Sequence, residues 1–188
     1  ALTDIAKYYN NIHQNDLALE YYEKVLLRSK EDYLVADARM SIAMIYFNNN
    51  QVKKAIEGFL FVVNHYQKTK YFKEALSGLQ SAYVLLGDID AYLSIIEGLP
   101  EISISKSEQD SLTYNTAFMK FSEEDYNIAK IAFEKYLNQF SQGIFIQEAR
   151  YYNAISCQHV GDTASAISLY KDIVLSADFT YREDALIF

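Results

Sequence analysis

Between Gln51 and His65 the apolar residues Val52, Ala55, Ile56, Phe59, Leu60 and Val63 follow one another at steps of three and four. That spacing puts side chains on one face of an α-helix. The stretch before it, Ala38 to Phe47, repeats the pattern with Ala38, Ile42, Ile45 and Tyr46. Asn48-Asn49-Asn50 separates the two, and Asn tolerates a left-handed backbone while bonding its own chain. The pattern therefore predicts two helices joined by a tight turn. Gly87-Asp88 and Gly161-Asp162 predict equivalent turns, with Gly in the left-handed position and Asp capping the helix that follows.

The hairpin recurs every 37 residues: Ala6, Ala43, Ala117 and Ala154 fall on multiples of that spacing, with Gln80 in the remaining slot. Ala18, Ala55, Ala129 and Ala166 do the same, with Tyr92 in theirs. Four residues after each of these stands a large apolar side chain: Tyr22, Phe59, Ile96, Phe133 and Tyr170. Two helices pack closely where Ala faces Ala, and the large residue fills the space beneath. A lone hairpin cannot bury its outer face, so hairpins stack. Residues 1–188 thus read as a single all-α array, about five helical hairpins and part of a sixth. Asp184-Ala185-Leu186 resembles Asp37-Ala38-Arg39, Glu74-Ala75-Leu76 and Glu148-Ala149-Arg150, and Ala1 already occupies the same slot. The expectation is a piece of a longer protein.

The third repeat departs from the pattern. Gln80 and Tyr92 replace small residues, so its helices are expected to pack less closely, and its second helix should end near Gly98-Leu99-Pro100, because Pro cannot continue a helix. Ser107 with Asp110 is the expected cap of the next helix. Residues 1–99 and 108–188 are expected to form two sub-blocks that differ in orientation from a regular superhelix.

Composition narrows the function classes. One proline and six glycines permit long helices and argue against a turn-rich all-β chain. A net charge of −8 is the wrong sign for a nucleic-acid binder or for an anionic membrane surface. No apolar run approaches the length of a membrane span, and no signal peptide or lipidation motif is visible. Cys157 stands alone, in the slot of Tyr9, Tyr46 and Tyr83, and reads as a buried inert thiol. His13, His65 and His159 are isolated, and no phosphate loop, metal-type cluster, nucleophile elbow or glycosylation sequon occurs. Glu123-Glu124-Asp125 and Glu183-Asp184 read as charge at helix N-termini. No enzyme activity and no cofactor or metal are expected.

Taken together, a small residue at the eighth position, Ala at the twentieth and an aromatic at the twenty-fourth in every unit but the third, with Tyr9, Tyr46 and Tyr83 at the eleventh, resemble the tetratricopeptide repeat (TPR), over essentially the whole chain. The resemblance implies a right-handed α-α superhelix. The family unit is about 34 residues, so three extra residues are expected to lengthen each connection between repeats. A narrower stretch, Tyr114-Asn115-Thr116-Ala117, Asp125-Tyr126, Ala129, Ala132-Phe133, Tyr136-Leu137, Phe140 and Glu148-Ala149, resembles a cell-envelope subset. Those are outer-membrane assembly lipoproteins and Tol-Pal-associated coordinators; Ser141 stands where they usually carry Pro.

In the family, first helices line the concave face. By register the resemblance implies a partner-binding groove of Lys7, Asn10 and Asn11, then Met40, Met44, Phe47 and Asn48, then Ser77, Ser81 and Val84. Tyr114, Phe118 and Phe121 follow, with Tyr151, Ile155, Gln158 and His159 in the fifth unit. Only Lys7 and the nearby Asn residues suit a clamp for acidic tails, so a carboxylate clamp is not expected. Met and Tyr suit apolar anchors of an extended or helical peptide. The implied function is a non-catalytic protein-protein scaffold with a protein or peptide partner, in a bacterial periplasmic or envelope protein. The alternatives are a self-association or spacer module forming a homo-oligomer, a superhelix attached to an envelope enzyme, and a cytoplasmic peptide sensor.

Overall fold

The structure, a computed structural model, describes residues 1–176 and 181–187. Among the described residues there are eleven helices and no strand. The chain falls into two compact units, Ala1–Leu86 and Gly87–Phe188. The first holds α1 (Leu2–Asn11), α2 (Asn15–Arg28), α3 (Asp32–Asn48), α4 (Val52–His65) and α5 (Tyr71–Leu86). The second holds α6 (Ile89–Glu97), α7 (Lys106–Ser122), α8 (Tyr126–Gln139), α9 (Ile146–His159), α10 (Thr163–Leu175) and the short α11 (Arg182–Ala185).

Within each unit, consecutive helices pair as hairpins: α1 with α2 and α3 with α4 in the first, α7 with α8 and α9 with α10 in the second. The recurring alanines sit in the contacts. Ala6, Ala18, Ala43, Ala55, Ala117, Ala129 and Ala154 are fully buried, and Ala166 nearly so. The large residues beneath them, Tyr22, Phe59, Ile96, Phe133 and Tyr170, are all buried, which is the packing that the 37-residue pattern predicts. First helices also touch one another: α1 meets α3 and α3 meets α5, and in the second unit α7 meets α9. Their outward sides therefore make one surface within each unit.

The hairpin turns are built from main-chain geometry. A left-handed residue recurs at 37-residue intervals: His13, Asn50, Gly87, Glu124 and Gly161, with φ between 57° and 80°. In four of them the amide after it bonds back to a carbonyl five residues earlier, Gln14 to Tyr9, Gln51 to Tyr46, Asp125 to Lys120 and Asp162 to Cys157, at 2.8–3.0 Å. The left-handed residue's own amide bonds three residues back. This pair of bonds is the Schellman closure of a helix C-terminus. Asp88, Asp125 and Asp162 then cap α6, α8 and α10 through their side chains. A carboxylate-bearing L-residue in left-handed backbone costs on the order of 1 kcal/mol. Glu124→Gly is therefore expected to raise the stability of the second unit by about 0.5–1 kcal/mol, after the entropy that Gly adds to the unfolded chain. Urea unfolding checks it against Glu123→Gly, one residue earlier at φ −80°, which should destabilise.

Two expectations are corrected here. The cap of α7 is Ser105 with Glu108, a full capping box, and not Ser107 with Asp110. Asp110 points inward and is 5% exposed. The extra residues of the repeat do not lengthen every connection: only Ser29–Glu31 joins α2 to α3, and α3 takes up the length as a 17-residue helix. The short second helix of the third repeat is as expected, α6 ending at Glu97 before Gly98 and Pro100.

Candidate functional site

In the first unit, α3 presents Asp37, Met40, Ser41, Met44, Phe47 and Asn48 at steps of three and one, so all six share one side of the helix. α5 faces them with Tyr71, Glu74, Ser77, Gly78 and Ser81, and α1 contributes Asn10. Together they line a trough of about 610 Å³. Of the expected groove residues the structure brings together Asn10, Met40, Met44, Phe47, Asn48, Ser77 and Ser81 there. Met40 forms the buried floor, Met44 is 38% exposed, and the Phe47 ring leans on Phe59 at 6.4 Å between centroids. Asn11 and Val84 do not line it.

Lys7 reaches from α1 to α3 and pairs with Asp37 at 2.7 Å. That hydrogen bond raises the lysine's pKa above its usual value and fixes the ammonium at one end of the trough. Tyr71 bonds the same carboxylate and Tyr33, and burial first, then those two bonds, push its pKa up. Burial likewise raises the pKa of Tyr22, whose hydroxyl bonds Ser41. Asp37 is thereby held by a cation and a phenol. Glu74 is exposed and makes no ion pair among the described residues. The family register that singled out the groove missed Asp37, Ser41, Tyr71, Glu74 and Gly78. The signal for two of them was present: the acid before Ala38 and the acid before Ala75 are one repeat apart.

In the second unit, Tyr151, Ile155, Gln158 and His159 of α9 line a hollow of about 420 Å³. Gln158 accepts the Tyr170 hydroxyl at 3.1 Å, and the Tyr151 hydroxyl donates to Asp184 at 3.2 Å. His159 stacks on Tyr126 with ring centroids 3.9 Å apart. Beside it, Lys130 bonds the Asp162 carboxylate at 2.5 Å and holds its pKa down to about 2. The three α7 aromatics sit differently. Tyr114 is 7% exposed, stacked on Phe145 at 4.4 Å and edge-on to Tyr136, and burial raises its pKa. Phe118 and Phe121 are half-buried, each 4.9 Å from the Tyr152 ring. These rings fill the seam between α7 and α9, because the next repeat supplies Phe145 and Tyr152 to meet them.

No family model matches the chain, and no curated protein matches it. Solved structures do resemble it. One is the MamA protein, 17% identical, with 92% of this chain and 88% of that one covered and a TM-score of 0.47. A second is YrrB, described as a TPR protein with an unusual peptide-binding site, 14% identical over 100% of this chain and 91% of that one, TM-score 0.45. A third is a thermophilic TPR protein of Thermus thermophilus, 16% identical over 100% and 98%, TM-score 0.42. Identities this low speak to the fold alone, and the four hairpins with buried alanines on both helices carry the assignment. The fold is a TPR-like array of helical hairpins.

Among the described residues no group of three or more His, Cys, Asp and Glu is placed to hold a metal ion, and no helix is long and apolar enough to cross a membrane. Cys157 is fully buried, and that burial pushes its thiol pKa up, away from the reactive thiolate.

Proposed function

We propose that this chain is a non-catalytic protein-interaction scaffold, holding a segment of a partner against the first helices of its repeats. The observation that carries the reading is the trough of about 610 Å³ in the first unit. Its lining comes from the outward positions of α1, α3 and α5, and it combines a methionine and phenylalanine floor with amide and hydroxyl walls. Thioether and aromatic surfaces adapt to apolar anchors, while Asn and Ser side chains can bond an extended backbone. We further propose that the parent is a bacterial cell-envelope protein, a reading supported by the resemblance of the Tyr114–Ala149 stretch. Fractionation of the source cells tests it, and a cytoplasmic location would sink it.

Met44→Glu puts a charge on the open part of the floor while keeping a good helix former. It is expected to leave helicity unchanged and to weaken partner binding at least about ten-fold, since an unpaired carboxylate would be desolvated under an apolar anchor. Affinity capture with both forms, followed by titration of the retained partner, reads the effect. Equal binding by both would remove the trough as the site.

A further inference from the structure

Resting on the trough as the peptide site, we propose that its occupant is an extended protein segment carrying a lysine or arginine two residues from an apolar side chain. The charge of the lining points this way. Two carboxylates, Asp37 and Glu74, line the trough, and no Lys, Arg or His does. Lys7 and Tyr71 engage Asp37, so the charge left without a counter-ion is that of Glu74. The chain as a whole carries −8. An acidic segment would meet repulsion at Glu74, whereas a basic one finds its counter-ion there.

The spacing follows from register. Glu74 occupies in α5 the slot that Asp37 occupies in α3, and Ser77 and Ser81 match Met40 and Met44 in the same way. At 1.5 Å of rise per residue, Met40 lies about 4.5 Å and Met44 about 10 Å along the axis from the level of the two acids. Side chains two apart on an extended segment share a face and stand about 6.6 Å apart. A basic side chain at Glu74 therefore sets its apolar neighbour two residues away over the floor between Met40 and Met44. The run from Asp37 to Asn48 rises about 16 Å, enough for roughly five extended residues, and Asn10 and Asn48 stand at the far end to bond that backbone.

The test is selection of a displayed library of random heptapeptides on the whole chain, with enriched sequences synthesised and titrated against Glu74→Lys, Glu74→Gln and Met44→Glu. The expected result is enrichment of Lys or Arg at a two-residue spacing from Leu, Ile, Met or Phe. Binding should fall about three-fold on Glu74→Gln and about ten-fold or more on Glu74→Lys, and should weaken with added salt. Enriched peptides that lack a basic residue but lose binding to Met44→Glu would keep the trough as a peptide site and overturn this proposal. Basic peptides that bind Met44→Glu as well as the parent would place the site elsewhere and overturn both readings. No enrichment over an unrelated helical protein would do the same.

Discussion

Phe59→Ala is expected to lower the stability of the first unit by about 3–5 kcal/mol, the cost of emptying a fully buried aromatic site that cannot collapse. The ring is 0% exposed. A Cβ built on Gly78 would stand 2.7 Å from it, so α4 and α5 already meet at the limit of approach there. On another side the ring supports Phe47, which lines the trough. Loss of Phe59 thus removes the backing of the proposed site as well as core volume. Urea unfolding monitored by far-UV circular dichroism gives the stability change. A loss below about 1 kcal/mol would mean that the neighbouring helices close over the gap, contrary to the rigid contact described.

The second large effect is expected at Asp110. Its carboxylate accepts the Tyr136 hydroxyl at 2.5 Å and the Ile144 amide at 2.8 Å, and the Tyr136 oxygen in turn accepts the Phe145 amide at 3.1 Å. These bonds tie α7 to α8 and to the connection that leads into α9. A Cβ on Gly143 would run into the Tyr136 hydroxyl, so the loop itself is shaped around this network. Asp110→Ala strands the buried Tyr136 hydroxyl and takes the acceptor from the part-buried Ile144 amide, and should cost about 2 kcal/mol or more. Tyr136→Phe removes one arm and leaves the Phe145 amide without its acceptor, for a smaller loss. The double variant decides whether the network acts as one: a coupling energy above about 1 kcal/mol is expected, and additive losses would show two independent anchors.

Asp110 also marks the limit of what the sequence reveals. Ser107 followed three residues later by an acid has the spacing of a capping box, and so has Ser105 followed by Glu108. The phenol of Tyr136, 26 residues away, and the amide of Ile144, 34 away, are what turn Asp110 inward. The small and large core positions were legible because each is fixed by its own hairpin and repeats with it. Turns at Asn50, Gly87 and Gly161 were legible from residue type, whereas His13 and Glu124 adopt the same left-handed backbone without the usual chemistry. The candidate site divides in the same way. Met40, Met44, Phe47 and Asn48 follow from helix register, as does the α9 set of Tyr151, Ile155, Gln158 and His159. The burial of Tyr114 depends on Phe145, which lies in an irregular connection outside the register.

The turns have one more consequence. Each of the four with a complete Schellman closure is sealed by main-chain groups within a span of six residues, and the left-handed positions recur at intervals of 37. Such joints are interchangeable. Excising or duplicating a block between two of them reproduces the same closure at the new splice and keeps the small residues in step with one another. Removing a fraction of a block would rotate the following helix off its face. A change in the length of this array that keeps its turns and its core in step comes in whole steps of 37 residues.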